Sequence, residues 1–207
     1  MIDWMHENGA VFSKIKVRLH SANEQFLHAS RDIKKGEVIL TVPHELVIAS
    51  KSLSQTVVGE AISKIGLTHA LSSFIGNLLV ERSDPNTKFE PIFINIRTKG
   101  LPVTYSVDNL SWIAGSPLYE TIVKLRMVLR EDFSKLKDAI PQMAPHTFEE
   151  FLEMFSIINS RCFKSEDSDC VIPLLNKICF DHQFSNCRPL FTKDGFQLIA
   201  LEEIKRN

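Results

Sequence analysis

Residues 157–189 read IINSRCFKSEDSDCVIPLLNKICFDHQFSNCRP, and the reading of this stretch decides the fold. It opens on Asn159-Ser160-Arg161-Cys162-Phe163 and runs through the apolar segment Cys170 to Leu175. It then reaches Asp181-His182 and closes on Asn186-Cys187-Arg188-Pro189. Apolar residues that lead into a knot of Asn, Asp and His belong to a core element that delivers polar groups to a pocket. All four cysteines lie here: Cys162, Cys170, Cys179 and Cys187. No pair has the spacing of a zinc knuckle, so no metal is expected. A site joining His182 to Cys179 and Cys187 is the alternative to buried free thiols.

Upstream of this stretch the period is helical. Thr147 followed by Glu150 is a capping box and opens a helix carrying Phe151, Phe155 and Ile158. Residues 116–139 place Leu118, Ile122, Leu125, Leu129, Phe133 and Leu136 on one stripe, which reads as core packing. Lys124, Arg126 and Arg130 lie off that stripe and read as a solvated face. Shorter helical pieces are expected at 53–66, 68–82, 89–97 and 107–112.

Both ends of the chain read as strands. Residues 2–9 form a short amphipathic helix closed by Gly9, and Val11 to Leu19 alternates as a strand. Phe26 to Ser30 and Val38 to Val42 are strands around the charged turn Arg31 to Glu37, with Gly36 free to take positive φ. They form a hairpin or a sharp corner between strands. Downstream, Asp194-Gly195 separates two alternating runs and signals a hairpin. Ala200-Leu201-Glu202-Glu203-Ile204-Lys205-Arg206-Asn207 echoes Ala29-Ser30-Arg31-Asp32-Ile33-Lys34-Lys35-Gly36. A buried strand follows the first copy, and the sequence stops after the second, so an unpaired strand edge is expected there.

The order is strands, about a hundred helical residues, then strands. That is an α+β chain in which a helical insertion splits a β-rich fold. The expected divisions are 1–50, 51–155 and 156–207. No βαβ alternation or Gly-rich phosphate loop is present, which argues against a doubly wound nucleotide-binding fold.

The bulk numbers exclude several classes. The chain has 207 residues, 24 Lys and Arg, 25 Asp and Glu, and a net charge of −1, so it carries no nucleic-acid footprint. No window suits a membrane span. The N-terminus lacks the apolar core of a secretory signal. An intracellular location, cytoplasmic or nuclear, is the expectation, with no nucleic-acid or membrane partner.

The motifs in their order resemble SET-domain protein methyltransferases, in the subgroup with a long helical insertion that includes Rubisco large-subunit lysine methyltransferase and actin-histidine methyltransferase. The runs are Ser30 to Val38 with Val42-Pro43, Leu79-Val80-Glu81-Arg82 with Phe89-Glu90-Pro91-Ile92, and Ile113 to Leu118. Asn159 to Phe163, Ile172-Pro173-Leu174 and Asn186-Cys187 complete them. The resemblance implies a SET-like fold of small curved sheets around a threaded segment. It also implies S-adenosyl-L-methionine as cofactor and a protein substrate. The implied reaction is in-line transfer of a methyl group to a neutral lysine nitrogen, with histidine as the alternative acceptor.

The resemblance assigns Ser160, Asn176, Asp181 and His182 to the cofactor, and Arg161 and Phe163 to the target side-chain channel. The departures are specific. Glu24 and Phe26 stand where the family has Gly-x-Gly, and Asp181 where its Asn-His motif has Asn. The family's catalytic Tyr follows the second corner and has no counterpart within these residues, so no catalytic residue is assigned. Two readings stay open: a methyltransferase, and an inactive or truncated SET-like domain that binds protein. For Ser160 and Arg161 the alternative is a helix end whose Ser bonds a carbonyl and whose Arg is solvated. The resemblance does not fix the oligomeric state.

Overall fold

The computed structural model describes residues 1–21, 24–96, 100–178 and 185–206, with the side chains of residues 19–21, 24 and 176 not described. In chain order the elements begin with α1 (Ile2–Glu7), β1 (Ile15–Ser21), β2 (Glu24–Ala29), β3 (Val38–Pro43) and the short β4 (Ile48–Ala49). Helices follow: α2 (Ser50–Ser54), α3 (Val57–Ser63), α4 (Ser72–Ser83), α5 (Glu90–Asn95), α6 (Val107–Ser111), α7 (Pro117–Ala139) and α8 (Phe148–Arg161). The last strands are β5 (Phe163–Lys164), β6 (Asp169–Val171), β7 (Cys187–Thr192) and β8 (Gly195–Ala200). This is an α+β chain with small antiparallel sheets and a helical middle. The residues divide into two compact units, Met1–Ile48 with Cys170–Asn207, and Ala49–Asp169. That division is drawn by contacts, whereas the expected cuts at 50/51 and 155/156 follow motif order.

The first unit joins the two ends of the sequence. β8 lies between β3 and β7, antiparallel to both. Thr41 and Leu190 both face Gln197 in register, and Val42 and Phe191 both face Phe196. Side chains alternate across a strand, so Phe196, Leu198 and Ala200 go into the core together. The β3 register shifts between Val38 and Leu40. This bulge lets the consecutive Ile39 and Leu40 both be buried. β2 pairs with β1, not β3. The charged turn is therefore a corner between sheets, with Gly36 at φ 80°.

The echo between the corners is structural. Ile33 and Ile204 exchange both backbone hydrogen bonds, each 2.9 Å. Asp32 Oδ1 also accepts the Arg206 amide at 2.8 Å. That amide and the Lys205 ammonium hold the Asp32 carboxyl below its ordinary range.

The second unit is built on α4, which packs against α7 and α8. α4 is buried almost all round, with Phe74, Ile75, Leu78 and Leu79 inside. On α7 the stripe buries Ile122, Leu129, Phe133 and Leu136. Leu118, at the first turn of α7, is 51% exposed, because the stripe reaches past the packed length of the helix. The α8 capping box is present: Thr147 Oγ1 accepts the Glu150 amide, and Glu150 Oε2 accepts the Thr147 amide. Such a cap contributes about 1 kcal/mol.

Three expected boundaries move. α4 starts at Ser72 rather than 68, because Asp132 on α7 takes the Thr68 and His69 amides at 2.7 and 2.8 Å. The helix expected at 53–66 is two pieces. They break at Thr56, whose hydroxyl caps α3 through Gly59 N. A Cβ at Gly59 would lie 2.0 Å from the Leu53 carbonyl oxygen, so the close turn requires glycine. The run from Cys170 to Leu175 is extended only to Val171, because Leu174 takes φ 67°. Arg130 is not simply solvated either. Its guanidinium stacks over Phe148, 4.0 Å from the ring centroid.

Candidate functional site

The Asn159 to Phe163 run sits at the end of α8 in the helical unit. The helix closes when the Cys162 amide donates to Ile158 O at 3.0 Å. Ser160 is one turn beyond Ser156, and its hydroxyl donates back to Ser156 O at 2.6 Å. This is the local bond that serine makes in a last helical turn. The Ser160 side chain thus serves its own helix. Arg161 is half-buried, and its Nε has no hydrogen-bond partner among the described residues. A buried donor left unsatisfied costs about 1–3 kcal/mol unless an acceptor arrives. Phe163 is half-buried at the start of β5. Ser160, Arg161 and Phe163 are therefore grouped by sequence proximity on one helix end.

The other assigned residues belong to the β-rich unit. Asn176 is the middle residue of a short 3-10 turn, Leu175–Lys177. That turn begins after Leu174, the one non-glycine residue at positive φ among the described residues, and Leu174 is fully buried. A left-handed conformation at such a residue costs about 1–2 kcal/mol, so the core holds this bend against local preference. No residue type in the run signals it. Asp181 and His182 lie outside the described residues.

Asn186 precedes β7, which begins at Cys187. The Asn186 carbonyl accepts the Leu201 amide at 2.8 Å, which ties the motif's end to the second corner. Both residues line a mostly apolar cavity of about 200 Å³ with Leu27, Ile33, Leu198 and Ile204. Motif reading did not anticipate this cavity. The paired isoleucines of the two corners were its only sequence signal. Burial pushes the Cys187 thiol up, so it is a poor nucleophile. Cys162, Cys170 and Cys187 are free thiols, and Cys170 is fully packed. Among the described residues no group of three His, Cys, Asp or Glu side chains could hold a metal.

At the family's Gly-x-Gly positions, β2 pairs antiparallel with β1, with a register shift between Leu19 and Ser21. Phe26 faces Arg18 and Gln25 faces Leu19. The backbone there is extended strand, with a half-buried Phe26 side chain where the family has no side chain.

No family model matches the chain. Rubisco large-subunit N-methyltransferase of Nicotiana tabacum is 27% identical over 169 residues, covering 77% of this chain and 34% of that protein. Human actin-histidine N-methyltransferase is 25% identical over 148 residues, covering 70% of this chain and 23% of that one. Among solved structures, the SET domain of LSMT bound to lysine and AdoHcy superposes with a TM-score of 0.84 at 22% identity. It covers 100% of this chain and 51% of that one. The chain thus spans about a third of the Rubisco relative and half of the solved structure. The order of its motifs, these relatives and the shared architecture show that the chain has the SET-domain fold and is similar to the methyltransferases whose β-rich core is split by a helical insertion.

Proposed function

We propose that the chain is an S-adenosyl-L-methionine-dependent protein-lysine N-methyltransferase of the SET family. Structural likeness to the LSMT SET domain over the full described length carries this reading. The likeness of the sequence to enzymes named for Rubisco and actin supports a protein as the substrate. The cofactor supplies an activated methyl group on a sulfonium. What the protein supplies is positioning. The acceptor nitrogen must arrive neutral, in line and dry, since order-of-magnitude rate gains come from held geometry. An apolar channel disfavours the ammonium form of a lysine and so favours the neutral one.

Arg161 is the group of this chain that best fits a bound ligand. Its unspent Nε–H donor asks for an acceptor. In this reading Arg161 and Phe163 line the target channel, while Ser160, Asn176, Asp181 and His182 hold the cofactor. The Ser160 hydroxyl donates its proton within α8, which leaves its oxygen as an acceptor toward the cofactor. The cysteines read as free thiols fit a reducing, intracellular setting, cytoplasmic or nuclear.

A second reading rests on Phe26. A strand-paired side chain at the position of a family glycine hinders close approach of a cofactor to the backbone. It favours a non-catalytic domain that binds protein. Histidine is the alternative acceptor if the chain is active.

Calorimetric titration of the chain with S-adenosyl-L-methionine separates the readings. The enzyme reading expects saturable heat at micromolar cofactor. It also expects Arg161→Ala, a change in the target channel and not at the cofactor, to leave that heat nearly unchanged. Silence in the wild-type chain, with the fold intact by circular dichroism, would leave the binding-domain reading. Glycine at position 26 would then be expected to restore heat.

A further inference from the structure

The helical unit holds a second cleft, of about 370 Å³, apart from every residue assigned to methyl transfer. Its polar lining includes Ser50, Lys51, Ser73, Asn77, Asp167 and Asp169. Asn77 lies on the buried side of α4 and is only 5% exposed. Its Nδ2 donates to Ser73 O at 3.0 Å, and its amide oxygen has no donor among the described residues. An amide that deep is ordinarily satisfied on both ends. Asp169 donates its backbone N–H to Ser50 Oγ at 3.0 Å, and among the described residues no hydrogen bond or ion pair engages its carboxylate. Lys51 is the one cation of the lining, and Asp167 already pairs with it.

The inventory is therefore lopsided: one cation paired with the Asp167 carboxylate leaves the Asp169 carboxylate, the Asn77 amide oxygen and serine hydroxyls. Acceptors outnumber donors. The missing partner carries N–H donors and positive charge. A multivalent metal does not fit, because no group of three or more His, Cys, Asp or Glu ligands gathers among the described residues. We propose that this cleft binds a basic group, the ammonium or guanidinium of a lysine or arginine side chain on a protein partner. Asp169 supplies the countercharge, and the Asn77 amide oxygen is the neutral acceptor. The Lys51–Asp167 pair partly shields the site, because Lys51 brings the same chemistry from the chain itself. The proposal is independent of methyl transfer.

The test titrates the full chain with N-acetyl-arginine methylamide and N-acetyl-lysine methylamide. N-acetyl-glutamine methylamide serves as the neutral control, and a pentapeptide with one central arginine as the polypeptide probe. Saturable binding of the basic amides, with none of the neutral one, is expected. Asp169→Asn and Asn77→Ala should each weaken it about tenfold, as for one lost charge-assisted contact. Lys51→Ala should tighten it several-fold by releasing Asp167, an effect that general damage to the fold would not produce. Tighter binding of the peptide than of the free amide supports a protein partner, and equal binding contradicts that part. No saturation, or a Lys51→Ala variant that binds more weakly, would overturn the site. If Asp169→Asn does not fold, the direction of the Lys51→Ala change decides alone.

Discussion

Alanine at position 195 is expected to destabilise the β-rich unit by about 3–5 kcal/mol, the upper range for a single substitution. Gly195 opens β8 at φ 138°, in a region that L side chains rarely adopt. The space is also filled. A Cβ there would lie 2.1 Å from the Val42 carbonyl oxygen and 3.0 Å from Pro43 C, both backbone atoms of β3. The methyl group cannot turn aside, so β3 and β8 must separate at the pair Pro43–Gly195. Gly36→Ala is the matched control. Its φ of 80° carries the conformational cost, but its Cβ would meet nothing within 4 Å. That substitution should cost about 1–2 kcal/mol. Denaturant melts of both variants, with hydrogen exchange at the β8 amides, separate steric from conformational cost. Equal destabilisation would mean that β3 does not approach β8 as described.

The second large effect belongs to the helical unit. Asp132 is fully buried on α7. Its two oxygens accept the amides of Thr68 and His69 and the Ser72 hydroxyl at 2.7–2.8 Å. Burial alone would push this carboxyl up. The two amides and the hydroxyl outweigh burial and hold it below its ordinary 3.8. Asp132→Ala leaves three donors unsatisfied and should cost about 3–5 kcal/mol. Exchange protection at Thr68, His69 and Ser72 should be lost first.

The sign of the pH dependence follows from the shifts. A carboxyl whose folded pKa is lowered stabilises the fold above its unfolded value and loses that contribution as pH falls further. Asp132 therefore contributes fully above about pH 4–5, and its share disappears in stronger acid. His69 and His146 shift down from 6.5, chiefly through burial, so the fold prefers them neutral. His69 Nδ1 accepts the Leu71 amide at 3.2 Å, which an imidazolium nitrogen could not do. Their contribution declines as pH falls below 6.5. The helical unit should thus weaken in two stages on acidification. In Asp132→Ala the histidine stage should remain while the more acidic stage shrinks. A single unchanged transition in the variant would contradict the role given to this carboxylate.

These cases show what a sequence can carry. The Gly36 corner, the Asp194-Gly195 hairpin and the Thr147–Glu150 cap were legible because each is settled within a few residues. The start of α4 was not. It depends on a carboxylate that arrives from α7, 60 residues after Ser72. The bend at Leu174 was not legible either, because burial by the rest of the unit imposes it on an ordinary residue. The candidate site divides in the same way. Motif order singled out Arg161 near a helix end, and only the structure shows that its Nε is a buried donor without a partner among the described residues. The Ser160 back-bond is a local habit of serine, and it was available as the alternative reading. The Asn77 cleft had no motif, since its residues come from separate elements and only packing shows the acceptors together.

The central claim is that segments more than 150 residues apart form one sheet, with the helical residues inserted between them. Backbone NOE spectroscopy of the labelled chain tests it most directly. Cross-strand contacts joining Thr41 to Gln197 and Val42 to Phe196, together with slow exchange at Ile33 and Ile204, are the predicted result. Strands 38–43 and 195–200 that showed contacts only to their own sequence neighbours would contradict the fold, and with it every role assigned to the motifs.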